Sequence, residues 1–228
     1  MSTWTLAIDT STIVTAALAH DGELVAEDSL DDTRAHTEQL MPMVVGLCDR
    51  AGIALAQVNE VVVGVGPGPF TGLRVGIVTA HTIAALAGVT ARGICSLDAI
   101  ALQAVESSAE VPAEFLAVID ARRKELYWAR YSATGERLEG PVVNAPEDLP
   151  GLPVTGPGAS LVADEGRPQF GPHQLCAGIL ALRGQSLPDM GLDALYLRAP
   201  DAAVPTSRKS TLLPEQRLAP RRDRRPRP

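Results

Sequence analysis

Aromatic residues are scarce in this chain of 228 residues: Phe, Trp and Tyr together make up 4%. A core of stacked rings is therefore excluded. The 46% apolar content must come from small and branched aliphatic side chains packed between helices and a sheet. Cysteine is also rare. Cys48, Cys95 and Cys176 lie far apart with no C-x-x-C, which excludes a disulfide framework and points to small buried side chains in a reducing compartment. The four histidines, His20, His36, His81 and His173, include no pair at ligand spacing, so no metal ligands are assigned. "MSTWTLAIDTST" has no basic run before Asp9 and is not read as a signal peptide. No apolar stretch approaches membrane-spanning length; "GIVTAHTIAALAGV" is short and is broken by His81. A soluble cytoplasmic protein with no membrane contact is expected.

Charge is present but uneven. The net charge is −7. From Thr206 to Pro228 eight Lys/Arg stand against Glu215 and Asp223, so this end carries +6 and the remainder −13. An acidic body repels phosphates and suits general nucleic-acid binding poorly. The basic end is rich in Pro and Arg with no apolar period, and reads as a disordered tail. It is either a solvated end or a weak RNA clamp, which leaves an RNA-binding adaptor as one minor function.

A duplicated unit emerges along the chain. "WTLAID", "IVTAALA" and "LVAEDS" read as a three-stranded meander turning at Asp21-Gly22. "FLAVID" and "ELYWARYS", with a turn at Gly135, repeat it. Aspartate to turn glycine is 13 residues in the first copy (Asp9 to Gly22) and 15 in the second (Asp120 to Gly135). Between the copies, residues 36–51 place Leu40, Val44, Leu47 and Ala51 on one helix face, with Gly52 as its cap and Pro42 as a kink or effective start. "NEVVVGVG" is a strand covered on both faces. Residues 71–87 form a helix ending at Gly88 that is apolar on two sides. "SLDAIALQAV" is a helix with Ser96 as N-cap, and "HQLCAGILALR" a last one. The fold class is α/β with mixed sheets in two lobes. The expected division is residues 1–108, residues 109–205 and a tail of residues 206–228.

"LAIDTST", "GPGPFTGLRVGI", "CSLDAIA", "DARRKELYWARY" and "YLRAPDA", in this order and spacing, resemble the bacterial TsaB (YeaZ) family. The resemblance spans roughly residues 4 to 212. It implies an actin-like, Hsp70-like two-lobe fold (the ASKHA, RNase H-like class). It implies a non-catalytic subunit of the machinery that places threonylcarbamoyl on adenosine 37 of tRNAs reading codons that begin with A. The implied partners are the catalytic paralogue TsaD as a heterodimer, the ATPase TsaE, a second copy when TsaD is absent, and tRNA through the complex.

An actin-like ATPase holds phosphate and metal with a loop from each lobe. Here "DTST" offers Asp9 toward a hydrated metal and Thr10, Ser11 and Thr12 as hydrogen-bond donors. Asp120 is its counterpart, but "DARRK" has no glycine after it, so backbone approach to a phosphate is obstructed. The five residues are read as a vestigial cofactor site. No tightly bound cofactor is expected, while ATP or ADP at a subunit interface stays open. In TsaD the segment matching "SLDAI" reads His-Leu-Glu-Gly-His; here Ser96 and Ile100 hold the two histidine positions. No catalytic residue is assigned. Pro69 removes one N–H from the glycine-rich turn, which reads as a support for the helix after it. That helix and the one over residues 36–51 are the implied partner interface, with Leu40, Met41, Val44, Val75, Val78, Thr79 and Thr82 as candidates; the alternative is that all of them are core. The alternative function is a stand-alone actin-like ATPase or phosphotransferase.

Overall fold

The computed structural model describes residues 2–31 and 36–198. The basic tail, residues 206–228, lies outside the described residues. The first meander forms β1 (Trp4–Asp9), β2 (Val14–His20) and β3 (Glu23–Leu30). Then come α1 (His36–Ala51), β4 (Glu60–Gly66), α2 (Phe70–Ala87), β5 (Ala91–Cys95) and α3 (Ser96–Ser107). The second meander is β6 (Glu114–Asp120), β7 (Leu126–Ser132) and β8 (Arg137–Asn144), followed by the short β9 (Val154–Thr155) and α4 (Ala177–Arg183).

The sheets have the orders β3-β2-β1-β4-β5 and β8-β7-β6-β9. In each, the meander is antiparallel and the next strand adds in parallel to its first strand. The second sheet thus repeats the first without its last strand, as the duplicated Asp-to-Gly units predict.

Strand alternation sorts the core into layers. Leu6 and Ile8 of β1 and Val61, Val63 and Val65 of β4 pack beneath α1 and α2. Ala7 and Val62 face the other way, into a central layer shared with Phe115, Ala117 and Ile119 of β6. Both faces of β1 and β4 are covered, which is why these strands read as continuous apolar runs.

Four expectations need correction. Ser96 does not cap α3: Cys95 holds that position, Ser96 is the first helical residue, and its hydroxyl is engaged elsewhere. The last helix starts only at Ala177, not at His173. It also leaves the lobe assigned to it. Helix α4, which the expected division places in the second lobe, lies on β1, β2 and β3 of the first sheet. Its backbone is pinned there, as Ala177 N–H donates to Thr15 Oγ1 (3.1 Å) and Gly178 N–H to a Glu27 carboxylate oxygen (2.7 Å). Finally, α2 is apolar and long enough to cross a membrane by length and composition alone, with mean hydropathy 1.4 over 18 residues. Gly72, Leu73, Gly76, Ile77, Ala80, Ile83 and Ala84 nevertheless bury one side of it against the protein. Helix α1 runs through Pro42 without interruption, and both expected glycine caps adopt the left-handed conformation (Gly52 φ 71°, Gly88 φ 72°).

Candidate functional site

The first loop leaves β1 at Asp9 and turns inward. The Asp9 carboxylate is fully buried. Oδ1 accepts the Ser11 backbone N–H (2.7 Å) and the Ser11 hydroxyl (2.6 Å); Oδ2 accepts the Ser96 hydroxyl (2.6 Å). Space for it comes from Gly64 on the neighbouring strand, where a Cβ would stand 1.7 Å from Oδ2. Thr10 is buried as well. Its hydroxyl donates to the Gly72 carbonyl (2.8 Å), and a Cβ at Gly76 would come within 2.3 Å of Oγ1. The glycine-rich segment therefore does not cradle an anion here. Its missing side chains let the first loop sink onto β4 and α2.

This overturns part of the expected cofactor set. Asp9 does not face a metal, and Thr10 and Ser11 do not offer free hydroxyls, because protein groups already take all three. Only Thr12 keeps an unpartnered Oγ1. The described residues contain no group of three or more His, Cys, Asp or Glu placed to hold a metal ion.

Asp120, the counterpart in the second lobe, is partly exposed. It accepts the Arg122 backbone N–H at 2.7 Å and lies 3.3 Å from Arg122 Nη1. The next turn is a left-handed run, with φ of 62° at Arg122, 56° at Arg123 and 62° at Lys124. Such a conformation costs an L-residue about 1–2 kcal/mol. The turn closes on itself, since Ala121 N–H donates to the Glu125 carbonyl and Glu125 N–H to the Arg122 carbonyl. Ser11, Thr12, Pro69, Asp120 and Arg122 line one interlobe cleft of about 190 Å³. Small-molecule sites usually measure about 300–1,000 Å³. The structure therefore brings Ser11, Thr12 and Asp120 to one cleft and removes Asp9 and Thr10 from it.

The partner-facing candidates divide by helix geometry. Leu40 and Val44 are a correction: both are buried under α1 against the sheet, on the same face as Leu47. The outward stripe of α1 is Met41 and Val45 instead. On α2, Val75 and Thr79 are half-buried, while Val78 (63% exposed) and Thr82 are open to solvent, as is Leu86 (61%).

Sequence reasoning missed the second buried carboxylate. Asp98 accepts the Tyr131 hydroxyl at 2.7 Å and sits 3.5 Å from Arg137 Nε. Burial raises the pKa of both Asp98 and Asp9 above the ordinary 3.8 and pushes the neighbouring Cys95 thiol up to about 12. A carboxyl raised by folding binds its proton more tightly in the native state. Its contribution to stability is complete below the unfolded value and fades as pH rises through the raised one. The unfolding temperature is therefore expected to fall as pH rises above the ordinary carboxylate range, with a shallower slope in Asp98→Asn. An unchanged slope in that variant would remove Asp98 from the account. Ser96 was also missed as the partner of Asp9. One signal pointed there: Gly64 interrupts a run of buried valines, the mark of a close approach in a strand.

The family model TsaD, tRNA N6-adenosine threonylcarbamoyltransferase, matches residues 24–200. An uncharacterized protein of Mycobacterium bovis is 41% identical over 209 residues, covering 86% of this chain and 92% of the relative. A Mycobacterium leprae relative is 42% identical over 86% of this chain, which spans only 55% of that protein's length. The tRNA threonylcarbamoyladenosine biosynthesis protein TsaB of Escherichia coli is 39% identical over 127 residues, 55% of this chain and 54% of its own. The crystal structure of YeaZ from Pseudomonas aeruginosa superposes with a TM-score of 0.67 at 27% identity, covering 86% of this chain and all of that one. The two-lobe actin-like fold is thereby established, and the chain belongs to the TsaB (YeaZ) family of tRNA threonylcarbamoyladenosine biosynthesis proteins, within the wider TsaD family.

Proposed function

We propose that this chain is a non-catalytic scaffold in the cytoplasmic threonylcarbamoylation of tRNA. It pairs with TsaD through α1 and α2, and TsaE acts on the assembled pair. One observation carries the reading: the exposed apolar stripe of two helices that touch each other. Met41 and Val45 on α1 and Val78 and Leu86 on α2 all point away from the sheet. Apolar side chains grouped in this way mark an interaction surface. The closed first loop supports the non-catalytic part, because Asp9, Thr10 and Ser11 are spent on the protein itself. It leaves the alternative of a stand-alone ATPase or phosphotransferase with few free donors. Any ATP or ADP in this reading sits at the boundary between subunits, and tRNA is met by the complex. Without TsaD the same stripe is covered by a second copy of the chain.

Light scattering on the purified chain mixed with TsaD tests this. The expected mass is that of a heterodimer at micromolar concentration, with a homodimer for the chain alone. Two separate monomeric masses would reject the proposal.

A further inference from the structure

Where the chain is otherwise poor in aromatics, two rings stack on its surface. Phe70, the first residue of α2, packs on Tyr196 with ring centroids 4.9 Å apart. The Arg74 guanidinium lies 3.7 Å from the Phe70 centroid, and its Nε donates to the Tyr196 hydroxyl (2.9 Å). The rings stay open to solvent, Phe70 at 41% and Tyr196 at 39%. Arg74 has no carboxylate partner among the described residues. A buried aromatic pair would be ordinary core; an exposed pair held in register by an arginine is a platform.

Cations gather beside it. Pro69, next to Phe70, lines the same cleft as Arg122. Arg198, two residues beyond Tyr196, donates to the Ala121 carbonyl and pairs with Glu125. The turn of Arg122, Arg123 and Lys124 therefore lies close to the platform, with all three side chains exposed.

We propose that this face contacts single-stranded RNA. An unpaired base continues the layering on the Phe70–Tyr196 pair, while Arg74 and the cationic turn meet the adjoining phosphates. Unstacked bases are recognised on aromatic and guanidinium planes, and phosphates by clustered Lys and Arg. A protein partner also favours aromatics and Arg, but the run of cations beside the rings fits a polyanion better. The inference rests on the reading of the chain as a tRNA-modification subunit, and it adds the surface by which the RNA is met.

The probe is an unmodified tRNA transcript, titrated by fluorescence anisotropy at two salt concentrations. It is run with the full chain alone and with its TsaD complex, and heterodimer mass is recorded in parallel. Phe70→Leu combined with Tyr196→Leu is expected to weaken RNA binding about five- to a hundredfold with heterodimer mass unchanged. Tyr196→Phe keeps the ring and is expected to retain binding. Gln at positions 122–124 is expected to flatten the salt dependence. Equal binding by wild type and the double leucine variant overturns the proposal, as does loss of heterodimer with RNA binding intact. A wild type that forms the heterodimer but binds no RNA, alone or in complex, overturns this inference alone. One that does neither overturns the scaffold reading too. Circular dichroism confirms that each variant is folded; if the leucine pair unfolds, Tyr196→Ala takes its place with the same expected loss.

Discussion

Gly64→Ala is expected to destabilise the chain by about 3–5 kcal/mol, enough to consume a large part of the stability of an ordinary domain. The new methyl would sit 1.7 Å from Asp9 Oδ2 and 2.8 Å from Ser96 Oγ. Neither neighbour can yield cheaply. The carboxylate is fully buried and bonded to both Ser96 and Ser11, so displacing it breaks a satisfied polar cluster in a site that water does not reach. Urea unfolding reads the effect as a large drop in midpoint. Gly151→Ala is the matched control, since a Cβ there meets nothing within 4 Å, and it is expected to leave the midpoint in place. Asp9→Ala combined with Gly64→Ala is expected to cost less than the sum of the two, because removing the carboxylate vacates the space the methyl needs. A Gly64→Ala protein as stable as wild type would mean that Asp9 is not held under Gly64.

The second large effect concerns association rather than folding. Val78→Asp together with Leu86→Asp is expected to weaken the heterodimer with TsaD by at least about a hundredfold, or roughly 3 kcal/mol. Both side chains are more than half exposed in the free chain, so the substitutions disturb little of its own packing. In a docked interface each carboxylate would be stripped of water, which is costly for a charged group. Light scattering at micromolar concentration is expected to show separate masses. Leu40→Asp serves as contrast, because it strikes the buried side of α1 and is expected to unfold the chain before it affects pairing. An unweakened heterodimer in the Val78 and Leu86 variant would place the interface elsewhere.

Much of this architecture was legible from local pattern. The two meanders show as apolar runs ending in Asp9 and Asp120, each followed by a turn glycine, and α1 and α2 end at glycines that take positive φ. These signals are local, and propensity and periodicity carry them. What escaped depends on contacts remote in sequence. Ser96 reaches Asp9 across 87 residues, so it read as a helix cap rather than as a hydrogen-bond donor to a buried carboxylate. Helix α4 is short, and which sheet it covers is decided by Thr15 and Glu27, more than 150 residues away. Leu40 and Val44 were sorted to the wrong side because α1 is apolar on more than one face; only the packed sheet distinguishes them from Met41 and Val45. The loop "DTST" is the most instructive case. Its residue types suit a phosphate loop, and whether they serve one depends on Gly64 and Gly76, which let the loop be drawn inward.

The inward turn of Asp9 supports the non-catalytic part of the scaffold reading, and Asp9→Asn tests it in one step. The amide keeps the size of the carboxylate, can accept from Ser11 and can donate to Ser96, yet it cannot serve as an anionic metal ligand. The measurement is tRNA threonylcarbamoylation by the complex reconstituted with TsaD and TsaE. The expected result is activity equal to wild type from a folded variant. A folded variant whose complex has lost activity about a hundredfold or more would show that Asp9 takes part in the chemistry, and would contradict the account.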